Sequence, residues 1–233
     1  SGDWSSDVCS SDLGKEPLPR PLKDSFQNLN GTATFKDSNV SVVLNGELRS
    51  TKKPVILDVY SDISTRKFSL DFIIEALDMS VWGNYILPFK DYELGAGNPK
   101  LKGNIRSKAF PTSSRLPFFY DLLFSLNHTS LKMPFFYFPL EKGLGDVHIY
   151  NGTLKESNIQ QDLNISKKQA QKLLSLLVKS EVLSENGWIQ HSTSIDSLPS
   201  TIKTYLLEPP SQIDFKNIQG SMASVPVFGD GNI

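Results

Sequence analysis

Apolar and polar residues alternate along much of this chain. Val40, Val42, Leu44, Gly46 and Leu48 share one parity, as do Val55, Leu57, Val59 and Ile63, and then Phe68, Leu70, Phe72 and Ile74. A period of two marks one face of a β-strand, because successive side chains point to opposite sides of a sheet. Turn-forming clusters punctuate these runs: the clusters at 36–39, 50–53 and 64–67 begin 14 residues apart. The spacing predicts an antiparallel meander with one dry face, its strands about ten residues long and each spanning about 33 Å. Phe118, Tyr120, Leu122, Phe124 and Leu126 repeat the alternation, and a further strand is expected through Phe136 and Phe138. In this register Asp58, Asp71, Asp121 and Ser125 lie on the opposite, polar face, and a slip of one residue would invert every assignment.

Asn-Gly pairs are strong hairpin signals. Asn45-Gly46 is an exception here, because turns already flank it; its glycine is placed inside a strand, at a bulge or bend. For Asn151-Gly152 a hairpin between DVHIY and TLKES is one of two open readings. Three segments break the strand pattern. Asp78 to Tyr85 reads as a short helix with Asp78 as N-cap, followed by a connection rich in proline and glycine (Pro88, Gly95, Gly97, Pro99). Ser166 and Gln169 form a capping-box pattern ahead of Ala170, Leu173, Leu174 and Leu177, which predicts an amphipathic helix to about Ser180. Its lysines, Lys167, Lys168, Lys172 and Lys179, are read as distributed around it. A shorter helix is predicted from Pro199 to Leu207, stopped by Pro209-Pro210.

The apolar stripe has two readings. It is either the buried face of a sandwich or an open gutter for acyl chains. A sandwich needs a second sheet of similar breadth, whereas the other sizeable element is one amphipathic helix, able to cover about one end. A sheet curled lengthwise on itself can line a groove with its own inward residues. The expected fold class is therefore mainly β: a long antiparallel meander curled into an open groove, with a small helical insertion. The candidate lining is Val40, Val42, Leu44, Val55, Leu57, Val59, Phe68, Leu70, Phe72, Ile74, Phe118, Tyr120, Leu122, Phe124 and Leu126.

Composition changes this picture at one end. Residues Asp3 to Leu13, DWSSDVCSSDL, look like the translation of a sequencing adapter, so residues 1–14 are expected to be unstructured and are set aside. The single cysteine, Cys9, falls in that stretch. Without it no thiol nucleophile, disulfide or thiolate metal site is expected. Leaving out Asp3, Asp7 and Asp12 turns 24 basic against 25 acidic residues into 24 against 22, a balance that suggests no nucleic-acid partner. Hydrophobic residues at 39% supply enough apolar material for a core. The expected organisation is a groove segment over 15–160, a helical insertion or cap over 161–208, and a resumed groove repeat over 209–233, cut short at the end.

Catalytic chemistry is not expected. Asp58 and Asp62, like Asp71 and Glu75, belong to the polar strand face, where solvated charge is the ordinary role of carboxylates. Glu141 to Asp146 has two glycines but no GK[ST] sequence and no following helix, so it is not a phosphate loop. His128, His148 and His191 have no second ligand at metal-binding spacing and read as surface residues. No catalytic residue, metal or cofactor is assigned.

The phrases FQNLNGTATFKDSNVSVVLNGELRSTKKPVIL, PFFYFPLEKGLGDVHIYNGTL and IDFKNIQGSMASVPVFGDGNI resemble the repeating segments of the TamB and AsmA-like envelope proteins. The likeness is strongest at Leu29-Asn30-Gly31, from Leu144-Gly145 to Leu154, and at Ile218-Gln219-Gly220 with Val225-Pro226. It implies a half-open curled sheet with an apolar interior that carries phospholipid acyl chains between the inner and outer membranes, or serves outer-membrane protein assembly with a β-barrel partner. It also implies a periplasmic location and an N-terminal membrane anchor preceding this segment. The stretch 166–207 departs from the repeat and is expected to be an insertion or a cap across the groove. Two further readings stand beside this one: a surface-exposed β-rich structural or adhesion module, and a DNA-binding winged helix suggested by ISKKQAQKLLSLLVKSEVLSENGWIQ.

Overall fold

The alternating runs fold as successive neighbours. In a computed structural model, residues 24–65, 67–86, 93–94, 96–107, 118–132, 137–190 and 197–232 are described; the expectation for residues 1–14 lies outside them. β1 (Phe26–Lys36), β2 (Asn39–Leu48), β3 (Pro54–Asp62) and β4 (Lys67–Ile74) form an antiparallel meander. β6 (Lys100–Ser107), β7 (Phe118–Lys132) and β8 (Leu140–Tyr150) continue it, and β9 (Gln212–Met222) and β10 (Val225–Asn232) complete it beside β8. A two-residue strand, β5 (Glu93–Leu94), pairs with β7. The result is one curled, open antiparallel sheet.

Polar side chains fix the turns. Asp62 accepts hydrogen bonds from the backbone and hydroxyl groups of Ser64 and Thr65, and its Oδ1 also takes the Ser38 hydroxyl, which ties two neighbouring hairpin ends together. These bonds hold the exposed Asp62 carboxyl far below the usual carboxylate range. Asn45-Gly46 lies within β2, opposite a register shift between Gln27 and Asn30 of β1. A Cβ at Gly46 would lie 2.7 Å from Leu29 Cδ2 and 2.9 Å from the Gln27 carbonyl oxygen, so the bulge needs glycine there.

β6 has no counterpart in the alternation pattern because Gly103 occupies the middle apolar position between Leu101 and Ile105. The structure gives the reason: a Cβ on Gly103 would lie 2.4 Å from the Phe72 ring and 2.8 Å from Leu122 Cδ2, so neighbouring side chains fill its place. The strand expected through Phe136 and Phe138 begins instead at Leu140. Phe138 sits in a bend, and Phe136 lies outside the described residues.

Four helices occur among the described residues. α1 (Met79–Ile86) follows the expected cap, with Asp78 Oδ1 accepting the Ser80 amide at 3.0 Å. α3 (Lys167–Lys179) carries the full capping box between Ser166 and Gln169, and α4 (Ser200–Leu207) starts after Pro199. α2 (Glu156–Leu163) replaces the second strand of the Asn151-Gly152 hairpin reading. Asn151 instead turns inward, where its side-chain oxygen accepts the Tyr120 amide at 2.8 Å, and Thr153 bridges to Trp188. The helical segment therefore begins well before residue 161, and the chain re-enters the sheet at β9, directly beside the strand it left.

Candidate functional site: a half-open apolar face

Cross-strand partners share a face of the sheet, so the register traces rows of side chains across it. One row runs Ala33, Val42, Val59, Leu70, Ile105, Tyr120. The next runs Leu44, Leu57, Phe72, Gly103, Leu122, Ile149, Ile213, and a third runs Val55, Ile74, Leu101, Phe124, Val147, Phe215. A short outer row holds Val40, Phe68 and Phe118, and Leu126 lies past Phe124 opposite Gly145. Every candidate lining residue from Val40 to Leu126 thus falls on one face. Asp58, Asp71, Asp121 and Ser125 fall on the other.

Burial along this face is graded. In the third row Val55, Ile74, Leu101 and Phe124 are 1–6% exposed, because Leu48, Leu77, Met79 and Trp82 pack over them from the α1 end. Val42, Leu44, Val59, Phe68 and Leu70, farther from α1, are half-buried, and Phe118 is 40% exposed. α1 closes one end of the face, and on the β7–β9 side Tyr120, Val147, Ile149 and Ile213 are also buried, so the half-open part is the stretch over β2–β4. Among the described residues there is no second sheet, which removes the sandwich as an architecture.

Asp24 pins the closing helix. Its carboxylate accepts the Trp82 indole N–H at 2.7 Å and the Ser50 hydroxyl at 2.6 Å, while the Trp82 ring lies 6.3 Å from that of Phe26. Burial alone would raise the Asp24 carboxyl, but the bonds from Ser50, Trp82 and Ser25 outweigh it and hold the group below its ordinary value.

The helical unit does not cap this face; it packs on the opposite one. Phe119, of the outward parity, joins Leu154, Ile159, Ala170, Leu177, Leu183, Ile189 and Leu206 in a separate core. Gly152 sits between Phe119 and Trp188. Lys155 ties the unit to β9 through an ion pair with Asp214; burial would lower the Lys155 amine, yet its hydrogen bonds, Asp214 foremost, hold it above its ordinary value. The outward face offers the helices an apolar foothold at Phe119 of β7, while the outward Tyr150 of β8 is buried beneath Lys155.

Other residues also depart from expectation. His128 is exposed, but His148 is half-buried, bonded to Asp121 at 2.7 Å and lying 4.0 Å from Asp214, so it belongs to the outer-face network rather than to bare surface. His191 lies outside the described residues. On α3, Lys168, Lys172 and Lys179 fall within an arc of about 40° at 100° per residue, so these lysines form a stripe instead of encircling the helix. β6, with Leu101 and Ile105, belongs to the apolar face although alternation alone did not reveal it.

Among the described residues no helix is long and apolar enough to cross a membrane, and no cluster of side chains suits a metal ion. No protein-family model matches the chain, and neither curated proteins nor solved structures supply a match.

Proposed function

We propose that the half-open face is an acyl-chain groove, and that the chain is a segment of a cell-envelope protein that carries phospholipid between the inner and outer membranes or assists outer-membrane protein assembly. The observation that carries this reading is the face itself: largely apolar rows across the strands, buried at the α1 end and along β7–β9 and half-open over β2–β4. Leaving that much hydrocarbon half-wet costs about 25 cal/mol for each Å² that could have been buried, and an apolar patch of this extent is characteristic of a binding surface. Acyl chains are the ligand that needs no polar partner along such rows.

The test is mass spectrometry of lipids copurifying with residues 15–233, wild type beside Leu70→Glu. Leu70 lies in the half-buried row, where a carboxylate can reach water, so the variant should keep its circular-dichroism melting curve and lose its bound lipid. A folded variant that retains lipid at wild-type stoichiometry refutes the groove.

A second reading has one observation in its favour. The stripe of Lys168, Lys172 and Lys179 follows a preceding helix, α2, and precedes the Leu183–Ile189 bridge, an order compatible with a winged-helix reader of DNA. Salt-dependent retention on duplex DNA that is lost in the triple lysine-to-glutamine variant would favour it over the groove.

A further inference from the structure

The outer side of the sheet carries a cleft at the edge of the helical core, whose Phe119 and Ile189 form part of its wall, with Phe68 at its rim. Lys67 and Ser69 of β4, Arg106 of β6, Phe119 of β7, and Ile189 and Gln190 from the helical unit line it, and its volume is about 350 Å³. Small-molecule sites occupy roughly 300–1,000 Å³. No acidic side chain is among its lining residues.

Arg106 is the unusual member. Its guanidinium stacks 3.7 Å from the centroid of the Trp188 ring, which fixes its plane. Its Nη2 is buried and has no hydrogen-bond partner among the described residues. Burial pushes the guanidinium down from its ordinary value, while Asp71 and Asp121 act against this through space. Neither acid forms an ion pair with it, and Lys67 also has no ion-pair partner among the described residues. A cation taken partly out of water with unspent donors is costly. Its planar fork matches the oxygens of a carboxylate or phosphate, and Phe119 and Ile189 provide an apolar floor beside it.

We propose that this cleft binds a small organic anion, a carboxylate or phosphate ester with an apolar body, whose oxygens engage Arg106 and Lys67 while the body rests on Phe119 and Ile189. The proposal is independent of the groove on the other face.

Isothermal titration calorimetry of the full chain tests it with phenyl phosphate and benzoate, using inorganic phosphate and benzyl alcohol as controls. Saturable binding of phenyl phosphate or benzoate, tighter than either control, is expected, and the stronger of the two identifies a phosphate or a carboxylate head. Arg106→Gln should weaken binding at least tenfold, Arg106→Lys should restore part of it, and Leu176→Gln, on the exposed surface of α3, should leave it unchanged. Lack of saturable heat with both anions, binding no tighter than inorganic phosphate, or unaltered binding by a folded Arg106→Gln overturns the proposal. Should Arg106→Gln fail to fold, Lys67→Gln and the ¹⁵N indole shift of Trp188 in the wild type take its place. An unmoved indole resonance at saturating phenyl phosphate then overturns it.

Discussion

Val55 and Val42 are the same residue type, one strand apart, on the same face of the same sheet, yet their surroundings differ. Val55 is 1% exposed beneath the segment that carries α1, whereas Val42 is half-buried with no such layer above it. Nothing in either residue or its immediate neighbours in sequence sets this difference. It comes from Leu77, Met79 and Trp82, which the chain lays over one end of the face only. Alternation therefore specifies which face is dry, and the covering element decides where that face is a core and where it is a groove.

The strongest way to break this comparison is to place one charge at each end. Val55→Asp buries a carboxylate without a partner and should cost about 3–5 kcal/mol, enough to unfold a marginal domain. Val42→Asp should cost about 1 kcal/mol or less, because the carboxylate reaches water. Chemical denaturation of the two variants side by side measures the difference. Equal destabilisation would mean that the face is sealed along its whole length, and the groove reading would fall with it.

A second contrast sets the two faces against each other. Phe119 anchors the helical core on the outer face, 2% exposed. Truncation to Ala should cost about 3–4 kcal/mol through lost burial and the cavity left behind. Because the unit's other core residues belong to the helical segment itself, the loss should loosen the helices while the strand signal in circular dichroism persists and copurified lipid is unchanged. If the lipid is lost as well, the two faces are coupled and the helical unit is part of the groove machinery.

These contrasts also show how much was legible in the sequence. The strand faces could be read because Val, Leu and Phe recur at period two between turn clusters, and the capping box of α3 because its side-chain chemistry is local. β6 was hidden because Gly103 supplies an apolar position without an apolar side chain, its place being taken by Phe72 and Leu122 from neighbouring strands. α2 was hidden because Glu156–Leu163 is mostly polar and rests on Ile159 for its buried contact, while Asn151-Gly152 ahead of it mimics a hairpin. The side of the sheet chosen by the helices turned on outward aromatics, the buried Phe119 and Tyr150, which period-two reading treats as exceptions. The pairing of His148 with Asp121 and Asp214 required the register of three strands, which spacing along the chain does not contain.

The finest test of the comparison acts on the latch of the closing helix. Asp24 joins the Ser50 turn to Trp82 of α1, and its carboxyl titrates below its ordinary value of 3.8 although burial opposes this. A carboxyl depressed by folding contributes stability that is fully present above its unfolded value and is lost as pH falls through the folded one. The latch should therefore hold at neutral pH and weaken only in the acid range, at and below about pH 4. Since the site is largely solvent-accessible, the effect on global stability should be small, and Asp24→Ala should cost about 1 kcal/mol. Trp82 fluorescence, isolated by subtracting a Trp82→Phe variant, reads the latch directly. Its acid-range transition should be present in the wild type and absent in Asp24→Asn, which can still accept from Trp82 but cannot ionise. A transition that persists in Asp24→Asn would assign the pH response to another group and leave α1 held by its apolar contacts with Phe26 and the sealed row alone.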